Sequence, residues 1–228
     1  MTAYTKEQVA KMIDHAVLKP DMTDNDVMAN AAMCRDRGIG CMCVRPSDVA
    51  LASQALAGSD TVTGAVIGFP YGYNRTEAKA LEARLAIEDG AAELDMVMNI
   101  GKLLSGDEDY VQADIEAVVA EADADGIPVK VILETCLLTP DQIVLACNLA
   151  KAAGADFVKT STGFAGGGAT PEAIDIMIKT VGDSMLVKAS GGIRTWQDAI
   201  GYLEQGCSRL GIGATEAVLD GGKADGDY

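Results

Sequence analysis

Short β-branched or apolar runs recur along this chain at 15–18, 40–44, 63–69, 93–99, 129–134, 157–160, 185–189 and 209–213, each separated from the next by a longer stretch. Stretches such as 77–88 and 171–181 place apolar residues three and four apart, the spacing of an amphipathic helix. Capping hydroxyls mark several breaks: Thr5-x-x-Gln8, Thr139-Pro140-x-Gln142, Thr170-Pro171 and Thr195-x-x-Asp198. Eight β-α units in 228 residues, without a linker or a shift in composition, predict an α/β protein built as a single (β/α)8 TIM barrel. A doubly wound sheet seldom needs eight regular units. The barrel is expected over residues 1–219, and the glycine-rich 220–228 is read as a flexible tail whose last residue, Tyr228, either frays or folds back over a site.

No apolar run approaches the roughly 20 residues of a membrane-spanning helix, and the first seven residues show neither a basic n-region nor an apolar h-region. A cytoplasmic protein with no membrane partner is expected. The net charge of −16 would repel a polyanion, so no nucleic-acid partner is expected either. The acid excess fits either a saline habitat or an ordinary solubilising surface. The six cysteines, Cys34, Cys41, Cys43, Cys136, Cys147 and Cys207, sit mostly in apolar stretches of a chain too large to depend on disulfides, and read as reduced thiols. Cys41 and Cys43 have no second Cys pair to complete a zinc site, and one histidine, His15, cannot supply a multi-His metal centre. No metal and no cofactor is expected.

The active site of such a barrel lies at the C-terminal ends of its strands, so polar residues within apolar strands carry the information. Alternation along 93–99 puts Glu93, Asp95, Val97 and Asn99 on one face, with Asp95 pointing inward. Asp95 is then either an acid/base group or an internal partner for a lysine. Lys130, Lys159 and Lys188 lie on strands five, six and seven, where they are expected to converge on one mouth. Neighbouring ammonium groups and partial desolvation lower the pKa of one amine, which then attacks a carbonyl to form a Schiff base. The iminium withdraws electrons, so a C–C bond can break next to it without a metal. Glycine turns follow the last three strands at Gly163, at Gly191 and Gly192, and at Gly211 and Gly213. In a barrel such turns either bend tightly or bind phosphate through open N–H groups.

Six motifs in order resemble the deoxyribose-phosphate aldolases. They are the stretches 13–20, 66–70, Glu93-Leu94-Asp95-Met96-Val97, 129–135, 154–163 with Lys159-Thr160-Ser161-Thr162-Gly163, and Lys188-Ala189-Ser190-Gly191-Gly192-Ile193-Arg194. The resemblance implies a metal-free aldolase that cleaves 2-deoxy-D-ribose 5-phosphate reversibly to D-glyceraldehyde 3-phosphate and acetaldehyde. It implies Lys159 as the Schiff-base lysine, Lys188 as its cationic neighbour and Asp95 as the acid/base. Asp14 and Lys130 match further polar positions of the family's site, where they hold the relay and contact a sugar hydroxyl. Phosphate falls to Gly163, Gly191, Gly192, Gly213 and Ala214. The family usually has serines in that last turn, so a weaker hold on phosphate is expected here. Cys43 is either an exposed thiol at the mouth or buried and inert, Arg194 either counters phosphate or is a surface residue, and His15 reads as structural. The family forms dimers and tetramers, so a homodimer or homotetramer is expected.

Two other readings compete. One is a lysine aldolase for another phosphorylated sugar or keto acid. The other is a silent barrel used for binding, against which three buried charges at Lys159, Lys188 and Asp95 argue.

Overall fold

The computed structural model describes residues 4–223. Its strands are β1 (Ile13–Val17), β2 (Cys41–Val44), β3 (Val62–Ile67), β4 (Glu93–Val97), β5 (Val129–Ile132), β6 (Phe157–Lys159), β7 (Leu186–Ser190) and β8 (Arg209–Ile212). All are parallel, each pairs with its neighbours in sequence, and β8 pairs with β1 to close the barrel. The helices are α1 (Lys6–Lys11), α2 (Asp24–Arg37), α3 (Val49–Leu56), α4 (Thr76–Glu88), α5 (Ile100–Leu104), α6 (Glu108–Asp123), α7 (Pro140–Ala152), α8 (Pro171–Val181), α9 (Trp196–Gln205) and α10 (Thr215–Leu219). The chain is thus the expected α/β barrel. No helix among the described residues is long and apolar enough to cross a membrane.

Local chemistry sets the breaks. Thr5, Thr139 and Thr195 each close a capping box, and Thr170 accepts the N–H of Ala173 ahead of Pro171. Thr23 and Asp26 close another box, at α2, from a Thr-x-x-Asp signal of the same kind. β3 ends before Gly68, whose left-handed φ of 63° begins the turn into α4. β4 ends where Asn99 accepts the N–H of Lys102 to cap α5. β1 starts two residues before the apolar run at 15–18, which draws Asp14 into the barrel wall.

Helices cover the outside of the sheet and side chains fill its inside, so β1, β2, β4, β5 and β6 are buried along their whole length. Val, Ile, Leu, Met and Ala form the large core between strands and helices. Inside the barrel, a small apolar cluster of Ala16, Leu18, Cys43 and Val66, with Phe69 against it, occupies the β1–β3 side. Charged side chains occupy the rest.

At the start of the 220–228 segment, Asp220 takes a two-pronged pair from Arg37 at 2.8 and 2.9 Å, and Lys223 bridges to Thr195. Residues 224–228, with Tyr228, lie outside the described residues.

Candidate active site

Strand register brings the charged residues together. Lys159, the last residue of β6, is level with Lys188 of β7, and Asp95 of β4 is level with Lys130 of β5. Gly211 on β8 makes room for this group: a Cβ there would stand 2.9 Å from Ser190 and 3.4 Å from Lys188 Cε. Lys159, Lys188 and Asp95 are each 1% exposed. Lys159 Nζ donates to Asp95 Oδ2 at 2.7 Å, and Lys188 Nζ donates to the same oxygen at 2.6 Å and also to Asp14.

These surroundings treat the two amines differently. Burial pushes Lys159 below the ordinary lysine value, and the Lys188 charge adds to that against the pull of Asp95. Burial works against the Lys188 charge as well, but Asp14 and Asp95 outweigh it and hold Lys188 above the ordinary value. Burial also opposes the Asp95 charge, yet Lys130, Lys159 and Lys188 hold the carboxyl well below the usual carboxylate range. The result is a nucleophile-type amine, a permanent ammonium and a carboxylate within one hydrogen-bonded set.

Lys130 does not reach the mouth with the other two lysines. It lies deeper, fully buried, because its strand position is level with Asp95 and two residues short of the one level with Lys159. Its Nζ donates to Glu93 at 2.6 Å and to Asp95 Oδ1 at 2.8 Å. Asp14 receives Lys188 on one oxygen and Arg209 Nε on the other, the latter at 2.7 Å. Arg209 also gives Nη2 to Glu93 at 2.8 Å. The one mark Arg209 carries in the sequence is its alternation with Gly211 at the start of β8. Asp14, Cys41 and Glu93 carry ligand-type atoms within 4.8 Å of one another, but Lys130 and Arg209 already bond those carboxylates.

Beside the lysines, Gly163, Gly167, Gly168, Gly191, Gly192 and Arg194 line a cleft of about 370 Å³. Gly191 and Gly192 take φ of 82° and 75°, which favour glycine and leave N–H groups unshielded by side chains. Gly213 and Ala214 stand outside that lining: they follow β8, and Ala214 starts the short α10.

Two further polar residues, which the sequence motifs contain but give no role, stand here. Glu134 follows β5 with a left-handed φ of 57°, uncommon for a residue with a side chain, and its buried carboxylate accepts both the N–H and the hydroxyl of Thr162. Ser161 is fully buried, and its hydroxyl is the one buried side-chain polar atom without a hydrogen-bond partner among the described residues. Its Cβ lies 3.6 Å from where a Cβ on Gly191 would sit.

Cys43 is 2% exposed, and burial pushes its thiol up to about 11, so it is an inert part of the apolar cluster. Both His15 nitrogens are engaged, Nδ1 with Thr215 at 2.8 Å and Nε2 with Asn30 at 2.7 Å, and burial pushes the ring's pKa down.

Fold and site together define a lysine-dependent barrel aldolase. A family model for DeoC/LacD family aldolases matches residues 8–213. The deoxyribose-phosphate aldolase of Clostridium perfringens (strain SM101 / Type A) is 48% identical over 98% of this chain and 99% of its own length. A solved structure described as a putative deoxyribose-phosphate aldolase from Coccidioides immitis superimposes with a TM-score of 0.91 at 39% identity, covering 96% of this chain and 87% of that one. A deoxyribose phosphate aldolase from Aeropyrum pernix, described as a unique tetramer, gives 0.86 at 33% identity, covering 95% and 91%. The chain therefore belongs to the DeoC/LacD aldolase family.

Proposed function

We propose that this enzyme cleaves 2-deoxy-D-ribose 5-phosphate reversibly to D-glyceraldehyde 3-phosphate and acetaldehyde, with Lys159 as the imine-forming residue. The observation that carries the reading is the shared Asp95 oxygen, which holds a lowered-pKa amine and a permanent ammonium side by side.

The free Lys159 amine attacks the C1 aldehyde, and the carbinolamine loses water to give a protonated imine. Lys188 and Asp95 hold and move the protons of that dehydration. The C3 hydroxyl then gives up its proton toward Asp95, the C2–C3 bond breaks, and its electron pair flows toward the iminium to leave an enamine. Glyceraldehyde 3-phosphate departs. Protonation of the enamine carbon and hydrolysis of the imine release acetaldehyde and restore the amine.

Gly163, Gly191, Gly192 and Arg194 take the phosphate in the glycine cleft, with Gly213 and Ala214 as the far edge of the same subsite. Asp14 and Lys130 hold Lys188 and Asp95 in place from below. The orphan Ser161 hydroxyl, two residues after Lys159 and against Gly191, donates to the C4 hydroxyl between the reacting carbons and the phosphate. Residues 1–219 act as one catalytic domain and 220–228 as its tail. The assembly is a homodimer or homotetramer, supported by the tetrameric relative. The compartment is the cytoplasm, supported by six free cysteines.

Release of glyceraldehyde 3-phosphate from 2-deoxyribose 5-phosphate in the presence of EDTA tests the reaction. Turnover with a pyruvate or dihydroxyacetone donor and none with acetaldehyde would overturn it.

A further inference from the structure

The charged groups inside the barrel form a ladder. At its N-terminal end Arg209, the first residue of β8, bonds Asp14 at 2.7 Å and Glu93 at 2.8 Å. One layer up, Lys130 joins Glu93 at 2.6 Å to Asp95 at 2.8 Å. At the C-terminal end Lys188 links Asp14 to Asp95, and Lys159 is the last rung, on Asp95 at 2.7 Å. Glu93 and Arg209 have side chains 10% and 18% exposed, and every other member is at 1%. The ladder is therefore almost wholly shielded from water.

Its charge can be counted. Asp14, Glu93 and Asp95 supply three negative charges, and Lys130, Lys188 and Arg209 supply three positive ones. The ladder is neutral when Lys159 is a free amine and carries a surplus charge when Lys159 is protonated. An uncompensated charge in such a site is strongly disfavoured. Other titratable groups facing it are the Cys41 and Cys43 thiols of β2, which burial keeps protonated, and Glu134 beyond β5, an anion that interacts with Lys159 but is bonded to Thr162 and shares no hydrogen bond with the ladder. None of these supplies a further cation.

We propose that Arg209 and Glu93 are positioning residues that hold Lys159 as a free amine from the opposite end of the barrel, by completing the charge balance of the ladder. The inference rests on Lys159 being the nucleophile. Neither residue touches substrate; each acts through Asp14, Lys130 and Asp95.

The test is the pH profile of kcat/KM for 2-deoxyribose 5-phosphate. Arg209→Met removes one positive charge, so Lys159 becomes the cation that balances the ladder, and the acid limb moves up by about one pH unit, or about tenfold in activity on that limb. Glu93→Gln removes one negative charge and moves the limb down by about as much. The double variant is balanced again, and its limb returns to the wild-type position. Arg209→Lys keeps the charge and loses the fork, so its limb stays in place whatever happens to kcat.

A role limited to packing gives the opposite pattern: kcat falls at every pH, the limb does not move, and the double variant is worse than either single. That result overturns the proposal. If Arg209→Met does not fold, Glu93→Gln alone decides by the direction of its limb. Borohydride trapping in the wild type separates the two levels, since an adduct away from Lys159 sinks the function reading and this inference together. An adduct on Lys159 with unmoved limbs sinks this inference alone.

Discussion

Lys159 and Lys188 donate to one oxygen of Asp95, at 2.7 and 2.6 Å. Two adjacent strands in register force this meeting, because their lysines are level and both point into the barrel. Lys188 has a second carboxylate, Asp14, and Lys159 does not. That asymmetry decides which amine keeps its proton and which is free to attack.

Replacing Lys188 by Met should therefore do more than remove a proton donor. One cation fewer leaves the buried ladder one positive charge short even with Lys130 still on Asp95, so Lys159 is drawn to its protonated form and the free-amine fraction falls at neutral pH. Steady-state assays should show kcat/KM reduced by about 10²-fold or more at pH 7, with partial recovery at higher pH. Wild-type activity in Lys188→Met would refute the asymmetry.

Acid should weaken the fold through Asp14. Burial raises its pKa, but Lys188, Lys130 and Arg209 outweigh that and hold the carboxyl at about 2, below the ordinary 3.8. The unfolded chain then binds more protons than the native one between those values, so stability is full above pH 4 and drains away as pH falls toward 2. The loss from this group is about 2 kcal/mol. Urea unfolding followed from pH 6 to pH 2 should show the fall, and a flat profile would contradict it.

The Ser161 hydroxyl predicts a substrate-specific effect. In Ser161→Ala, kcat/KM for adding acetaldehyde to glyceraldehyde 3-phosphate should drop about fivefold, the worth of one hydrogen bond near 1 kcal/mol. With 3-phosphooxypropanal, an acceptor lacking that hydroxyl, wild type and variant should match. Equal losses with both acceptors would mean that Ser161 only packs.

Glu134 is a stability prediction. Its carboxylate satisfies two buried donors of Thr162, and Glu134→Ala leaves both without it. Chemical denaturation should show a loss of about 2 kcal/mol, and KM for phosphorylated substrate should rise as the turn ahead of Gly163 loosens. An unchanged midpoint would remove Glu134 from that role.

The barrel was legible because its signal is repeated: eight short apolar runs, four threonine caps and the spacing of helices such as α8 each state the same architecture. Element ends were less legible. Asp14 interrupts the apolar pattern, so the run begins at His15 while β1 begins at Ile13, with Asp14 buried. Lys159, Lys188 and Asp95 stood out as charges in strands. Depth along the strand did not, which is why Lys130 read as a mouth residue and lies a layer below. Arg209 and Glu134 act through partners far away in sequence, such as Asp14 at a separation of 195 residues, and no local pattern reports such pairs, while nothing in the sequence marks the Ser161 hydroxyl as the one left without a partner.

Everything in the proposed reaction passes through covalent attachment at Lys159. Borohydride reduction of the enzyme with 2-deoxyribose 5-phosphate and EDTA, followed by peptide mapping against a Lys159→Leu control, tests it directly. One reduced adduct is expected, on Lys159, and none in the control. An adduct on Lys188 or Lys130, or cleavage of the sugar phosphate that persists in Lys159→Leu, would contradict it.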